Sequence, residues 1–344
     1  MHFNDYFRTD SILIRQASPE MRAFVNELQA APLPPPPGTA AEFAASRSGM
    51  FDLVQARGRA MAQSFHDAHP HDTRISVRRQ DLPGREGNYL LIIEPEGPLR
   101  GAMLHIHGGG WSAGSPAMVV DLLKSYSAQL GMPIATVGYR LAPEHPHPAA
   151  PDDCEAAALW WIDHCRKKHG LENIVISGES AGGHLAAVTA IRLRRKNDYR
   201  FSGAVLTYGL YDFRNGLPSR SLGRGTNWLH DERYCEHYAQ VFVPDFAMRA
   251  DPDVSPLAAE LNKMPPALFS VGTLDPLLDD SLLMHLQWRL AGNASYLVVY
   301  KDALHGFDVL VPGADEAAHH REITCAFMKA CFAGTVGAPR ESTT

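Results

Sequence analysis

The chain has 344 residues, 32 Lys and Arg against 38 Asp and Glu for a formal net charge of −6, and is 45% hydrophobic and 20% charged. That balance is too apolar for a disordered chain, and its 28 Gly and 25 Pro follow no collagen-like period. The mild acidity gives no electrostatic footprint for nucleic acid or an anionic membrane, so a neutral small molecule is the expected partner. The opening residues carry Asp5 and Asp10 and lack the apolar run of a signal peptide, and nothing later approaches the roughly 20 apolar residues of a membrane span. Five cysteines, Cys154, Cys165, Cys235, Cys325 and Cys331, form an odd set without CxxC. They predict buried thiols in a cytoplasmic protein and neither a disulfide framework nor a zinc site.

Ser18-Pro19-Glu20 is a helix start, and Met21, Phe24, Val25 and Leu28 follow at helical spacing. Pro34 to Pro37 break that helix; Thr39 and Glu42 then have capping-box spacing, and Met50, Val54, Met61 and Phe65 continue a stripe. The first 65 residues are therefore expected to be helical. From Thr73 short β-rich runs take over: Ile75 to Val77, Tyr89 to Ile93, Ala102 to His107, Pro133 to Tyr139, Ile174 to Ser177, Ala204 to Tyr208, Ala267 to Val271 and Tyr296 to Tyr300. Helical patterns at Asp153 to Lys168, Ala181 to Lys196 and Asp279 to Ala291 alternate with the later runs. Such alternation predicts an α/β fold, a mostly parallel sheet with helices on both faces. Tyr211 to Ala250 breaks the rhythm with seven aromatics in 40 positions, which suits a satellite core, an apolar pocket wall, or both.

Gly178-Glu179-Ser180-Ala181-Gly182 is a GxSxG string between a predicted strand and a predicted helix. Its chance expectation in a chain this long is on the order of 0.1, but the strand-turn-helix setting sharpens it. A serine on so tight a turn needs small neighbours two positions either side, and its hydroxyl then stands at the positive end of the following helix. Ser180 is the candidate nucleophile. His107-Gly108-Gly109-Gly110-Trp111 leaves several backbone N–H groups unobstructed, and Gly108, Gly109 and Gly110 with Ala181 are the candidate oxyanion donors. No Lys-Ser/Thr pair follows, as a phosphate loop would require, and no ligand set accompanies His105 and His107 to make a metal site. Asp275 and His305 each lie just beyond a predicted strand's carboxyl end and follow Ser180 in the order a triad of this architecture uses. Asp279 and Asp280 read instead as helix caps, His285, His319 and His320 as surface or core residues, and His66, His69 and His71 as a solvated loop.

With Tyr139-Arg140-Leu141-Ala142-Pro143-Glu144, Asp275-Pro276-Leu277-Leu278-Asp279 and His305-Gly306-Phe307, these motifs resemble the hormone-sensitive lipase family of α/β-hydrolases over roughly Ala102 to Phe307. The resemblance implies carboxylesterase activity without a cofactor. It implies a helical cap built from residues 1–65 and an insertion at 211–250, around a catalytic core at 66–210 and 251–333; the tail at 334–344, small and polar, is expected to be disordered on its composition. Glu179 departs from the family, which more often has Asp or a smaller polar residue there, and is expected to alter the alcohol side of the site. Trp111, Glu179, Tyr211, Trp228 and Phe242 are the candidate pocket residues. The expected activity is hydrolysis of small, neutral esters of short to medium acyl chain; the alternatives are a non-catalytic receptor on the same fold, or an amidase, lactonase or peptidase using the same triad. The sequence leaves open the oligomeric state, a homo-oligomer included.

Overall fold

Burial explains the sheet. Strands β4 (Ala102–Ile106), β5 (Ile134–Gly138), β7 (Gly203–Thr207) and β8 (Ala267–Gly272) are buried at every position, as parallel strands covered on both faces require. They belong to a nine-stranded sheet with β1 (Ile12–Arg15), β2 (Ile75–Asp81), β3 (Tyr89–Pro95), β6 (Ile174–Glu179) and β9 (Ser295–Tyr300), in the order β1-β9-β8-β7-β6-β4-β5-β3-β2. Pairings from β1 across to β5 are parallel, and only β3 and β2 run antiparallel to their neighbours. The computed structural model describes residues 2–7, 11–30, 74–214, 216–221 and 232–336, with Glu42, Ala56, Arg59, Ala60, Gln63 and Asp67 as isolated positions.

The described helices, in chain order, are α1 (Phe3–Tyr6), α2 (Pro19–Ala30), α3 (Val120–Leu130), α4 (Ala149–His164), α5 (Ala181–Asn197), α6 (Glu232–Phe242), α7 (Leu278–Leu290), α8 (Phe307–Leu310) and α9 (Asp315–Phe332). None of them is long and apolar enough to cross a membrane. All eight predicted strand runs fall on strands, with ends shifted by a few residues. Helix α2 begins where expected, and the Ser18 hydroxyl oxygen accepts the Met21 N–H at 3.1 Å. Ser18 also donates its own N–H and O–H to Glu316, at 2.5 and 2.7 Å, which ties the N-terminal segment to α9. The expectation of an all-helical N-terminus needs one correction, because Ile12–Arg15 forms an edge strand parallel to β9. Ile12 and Ile14 are 46% and 63% exposed, so this four-residue run lacks the buried face that marks a strand in sequence. The stripe between Thr39 and Phe65 falls almost entirely outside the described residues, as does most of the predicted tail. Helix α4 starts four residues earlier than expected and passes at Cys165–His169 into a π turn that ends at Gly170. All five cysteines are buried and no disulfide joins them.

Helix α5, which follows Ser180, is pinned from outside by Arg192. This arginine is only 4% exposed and pairs with Asp152 at 2.8 Å, Glu155 at 3.1 Å and, in a bidentate bond, Asp253. Burial by itself raises the Asp253 carboxyl, but the bidentate hydrogen bond and charge of Arg192 outweigh it, with His147 3.7 Å away, and hold the group well below the usual range. A depressed carboxyl contributes stability above its unfolded value near 4 and loses it on acidification. Arg192→Met should therefore lower the unfolding free energy by about 2–3 kcal/mol at pH 7, because it leaves three clustered, half-buried carboxylates without their shared cation. In urea melts the gap to wild type should narrow below about pH 4; a gap independent of pH would show that Arg192 does not hold Asp253.

Candidate active site

The strand ends decide where the chemistry gathers: β4, β6, β8 and β9 are parallel, so the loops after them leave from one edge of the sheet. At the end of β6 the chain turns sharply into α5, and Ser180 sits on the turn with φ 56° and ψ −121°, a left-handed conformation costly for a side-chain-bearing residue. Gly178 and Gly182 make the turn possible. A Cβ on Gly178 would collide with the Gly182 carbonyl, and one on Gly182 with the carbonyl of Ile106 at the end of β4. Backbone bonds lock the turn: the Ser180 N–H donates to Thr207 at 2.9 Å, and the His184 N–H donates to Ser180 at 3.1 Å.

His305, in the loop after β9, places Nε2 2.9 Å from Ser180 Oγ and Nδ1 2.8 Å from Asp275 Oδ2. A carboxylate only accepts, so Nδ1 carries the proton and Nε2 is left to accept the serine hydroxyl. Asp275 is fully buried, and its other oxygen accepts the Leu277 N–H at 2.8 Å. On the other side the Tyr208 ring lies 4.7 Å from the His305 ring, and the Tyr208 hydroxyl donates to Asp308 at 2.7 Å. The three side chains are thus brought into one hydrogen-bonded chain.

The glycine loop after β4 lies directly against this turn. A Cβ on Gly108 would stand 2.8 Å from the Glu179 carbonyl oxygen and 3.3 Å from Ser180 Cβ. Gly109 and Gly110 have φ of 126° and 58°, backbone that favours glycine. One candidate donor is corrected: the Gly108 N–H points to Glu179 Oε1 at 2.9 Å and so is already taken. No acceptor among the described residues takes the N–H of Gly109 or Gly110, and Ala181 opens α5, where an N–H has no intrahelical partner. Those three amides remain the candidate oxyanion donors. His107 lies beneath the loop with Nδ1 2.8 Å from the Gly108 carbonyl, stacked on Tyr139, and burial pushes its pKa down to about 4.

The pocket assignments fare differently. Trp111 stacks on Phe242 with centroids 4.9 Å apart and planes 11° from parallel, and touches Phe213. Its indole N–H donates to His184 Nδ1 at 3.0 Å, while His184 Nε2 lies 2.9 Å from the Val254 carbonyl. Burial pushes His184 down to about 3, which keeps it neutral and able to accept from the indole. Trp111, Phe213 and Phe242 are all buried, as is Tyr211, whose N–H bonds Asp280 and whose ring meets Phe269 edge-on. Trp111, Phe213 and Phe242 form a satellite core against the glycine loop, and Tyr211 packs separately on Phe269, so the three described aromatics expected at the pocket are packed against other rings; an irregular segment rich in aromatics buries them against each other. Trp228 lies outside the described residues. Glu179 points under the glycine loop and borders a small cavity of about 60 Å³ shared with His105, Asp308 and His320. His184 had no signal beyond being one histidine in an alanine-rich helix.

Asp279 and Asp280 do begin α7, and they also tie down the segment after β7: Asp279 accepts the Ser219 N–H at 2.7 Å, and the fully buried Asp280 pairs with the buried Arg220 at 2.5 Å. Glu94, His164 and His169 are one group among the described residues with metal-ligand spacing. Lys168 already bonds Glu94 at 2.7 Å and Arg78 bonds His164 at 3.2 Å, so two cations stand where an ion would bind. The satellite core yields a direct test. Phe242→Ala should lower the unfolding free energy by about 3–5 kcal/mol and leave the ratio of kcat/KM between short and medium acyl esters within about 2-fold. A tenfold change in that ratio, about 1.4 kcal/mol of differential contact, would return Phe242 to the pocket wall.

Comparison with known proteins agrees with this fold. Residues 103–309 match the model of a family described as alpha/beta hydrolase fold. The carboxylic ester hydrolase LipN of Mycobacterium tuberculosis is 33% identical over 292 residues, 80% of this chain and 76% of that protein. An ethyl acetate hydrolase of Pseudomonas putida is 30% identical over 72% of this chain and 74% of its own length. Among solved structures, a hyperthermophilic esterase from the archaeon Pyrobaculum calidifontis superposes with a TM-score of 0.79 at 28% identity, over 94% of this chain and all of that one. The chain belongs to the α/β-hydrolase family, within the group whose motifs are those of hormone-sensitive lipase.

Proposed function

We propose that the protein is a serine carboxylesterase that hydrolyses small, neutral esters of short to medium acyl chain through an acyl-enzyme. The observation that carries this reading is the unbroken chain Ser180–His305–Asp275 beside three undirected amides. His305 Nε2 takes the Ser180 proton as Oγ attacks the ester carbonyl. The tetrahedral intermediate places its oxyanion toward the N–H groups of Gly109, Gly110 and Ala181, which are fixed in advance by glycine backbone and the start of a helix. Asp275 holds the imidazole in the productive tautomer and stabilises the imidazolium, which then gives its proton to the leaving alkoxide. Water, deprotonated by the same nitrogen, releases the acid. No step requires a cofactor, and the ester hydrolases among its relatives support ester substrates. Buried, unbridged cysteines support a cytoplasmic location.

Ser180→Ala removes the nucleophile without crowding a turn that already tolerates only small groups. Turnover of a short aryl ester should fall by at least about 10³-fold, with the thermal melt within a few degrees of wild type. Near-wild-type turnover by that variant would exclude the mechanism.

A further inference from the structure

Behind the nucleophile, strand register dictates a row of polar side chains. His105 pairs with Thr136 across β4 and β5 and with Ser177 across β4 and β6. Glu179 follows Ser177 by two positions and so shares its face of the sheet. The side chains meet accordingly: Thr136 Oγ1 lies 3.2 Å from His105 Nδ1, His105 Nε2 lies 2.8 Å from Glu179 Oε2, and Glu179 Oε1 accepts the Gly108 N–H at 2.9 Å. In the neutral imidazole the carboxylate makes Nε2 the donor, which leaves Nδ1 to accept the threonine hydroxyl. Thr136 is fully buried and His105 only 6% exposed, so the far end of the row is rigidly packed. Its near end is the first amide of the glycine loop.

A charge-assisted bond to that amide fixes the plane of the peptide on which the next two amides depend. The loop has little room to adapt, since even a Cβ on Gly108 would stand 2.8 Å from the Glu179 carbonyl oxygen. We infer that Glu179, supported by His105 and Thr136, is a positioning residue for oxyanion stabilisation: it holds the Gly108 peptide so that the Gly109 and Gly110 amides face the carbonyl oxygen over Ser180. The inference rests on the serine-esterase mechanism above and assigns Glu179 no contact with the reacting atoms. A residue that recognised the alcohol would act on substrate binding; a residue that aims oxyanion donors acts on the transition state.

Glu179→Met and Glu179→Gln separate the two roles at nearly constant volume, because glutamine keeps an oxygen for the Gly108 N–H and methionine keeps none. Methionine should lower kcat by about 10- to 100-fold, less than the 10²–10³ of a deleted oxyanion donor, with KM for a short aryl ester within about 2-fold. The inhibition constant of a trifluoromethyl ketone, which mimics the tetrahedral intermediate, should rise by the factor that kcat/KM falls, and glutamine should restore both to within about 3-fold of wild type. Hydrogen exchange in the peptide carrying Gly108 to Gly110 should quicken in the methionine variant alone. Wild-type kcat with methionine, a loss confined to KM, or equal impairment by both residues would overturn the assignment. Should the methionine variant fail to fold, His105→Phe, which leaves the carboxylate unsupported, must lower kcat and weaken the ketone together; unchanged values overturn the assignment equally. An inactive Ser180→Ala beside an unimpaired Glu179→Met refutes this role alone, whereas activity surviving Ser180→Ala refutes the serine mechanism and this role with it.

Discussion

The backbone of the nucleophile turn lies in contact with the end of β4, and nothing larger than hydrogen fits between them. A Cβ on Gly182 would enter the Ile106 carbonyl, and one on Gly108 would stand 2.8 Å from the Glu179 carbonyl. That close approach fixes the distance between Ser180 and the glycine loop before any substrate arrives. It also accounts for the strained φ of 56° at Ser180, because only a sharp turn returns the chain to a helix so near the strand it has left. Preorganisation of this kind is where most of the catalytic advantage of an oxyanion site resides, since the donors need not reorganise as charge develops.

Neutral histidines serve this geometry from several directions. His107 and His184 are buried, with pKa values pushed down to about 4 and about 3, and each fixes a piece of the glycine loop or its tryptophan through a defined tautomer. An imidazolium at His184 would turn the acceptor of the indole N–H into a donor and break that contact, whereas at His107, whose Nδ1 already donates to the Gly108 carbonyl, it is burial that opposes the charge. Charged residues stand further out: Arg192 joins α5 to three carboxylates, and the buried pair of Arg220 and Asp280 fastens the segment after β7 to the loop that carries Asp275, where Arg220 also bonds the Pro276 carbonyl at 2.6 Å. The aromatic cluster of Trp111, Phe213 and Phe242 packs the loop against the segment that follows β7 and against α6.

Much of this was legible in the sequence because the relevant signals are local. Strands that are buried on both faces read as short apolar runs, and a tight strand-to-helix turn must carry small residues two positions from its central residue, so the core strands and the turn at Ser180 could be found without a structure. Asp275 and His305 were legible through position, each just past a strand end. What escaped has no local signature. Ile12–Arg15 is a four-residue edge strand with two exposed isoleucines, indistinguishable from the start of a helical segment. The use of the Gly108 amide by Glu179 depends on the register of β4 against β6, a long-range pairing no motif records. For the aromatics of the insertion, composition reported only that they were numerous; which face they would cover depended on the partner each ring found, and Trp111 supplied it.

The central claim is that Ser180, activated by His305, is the group that attacks an ester carbonyl. Its most direct measurement is the site and stoichiometry of covalent modification by an aryl phosphonate, read by intact mass and peptide mapping alongside the loss of esterase activity. The account predicts one adduct per chain, located on Ser180, forming at the rate at which activity disappears. Full inactivation with the adduct on another residue, or complete labelling of Ser180 with ester turnover intact, would contradict it.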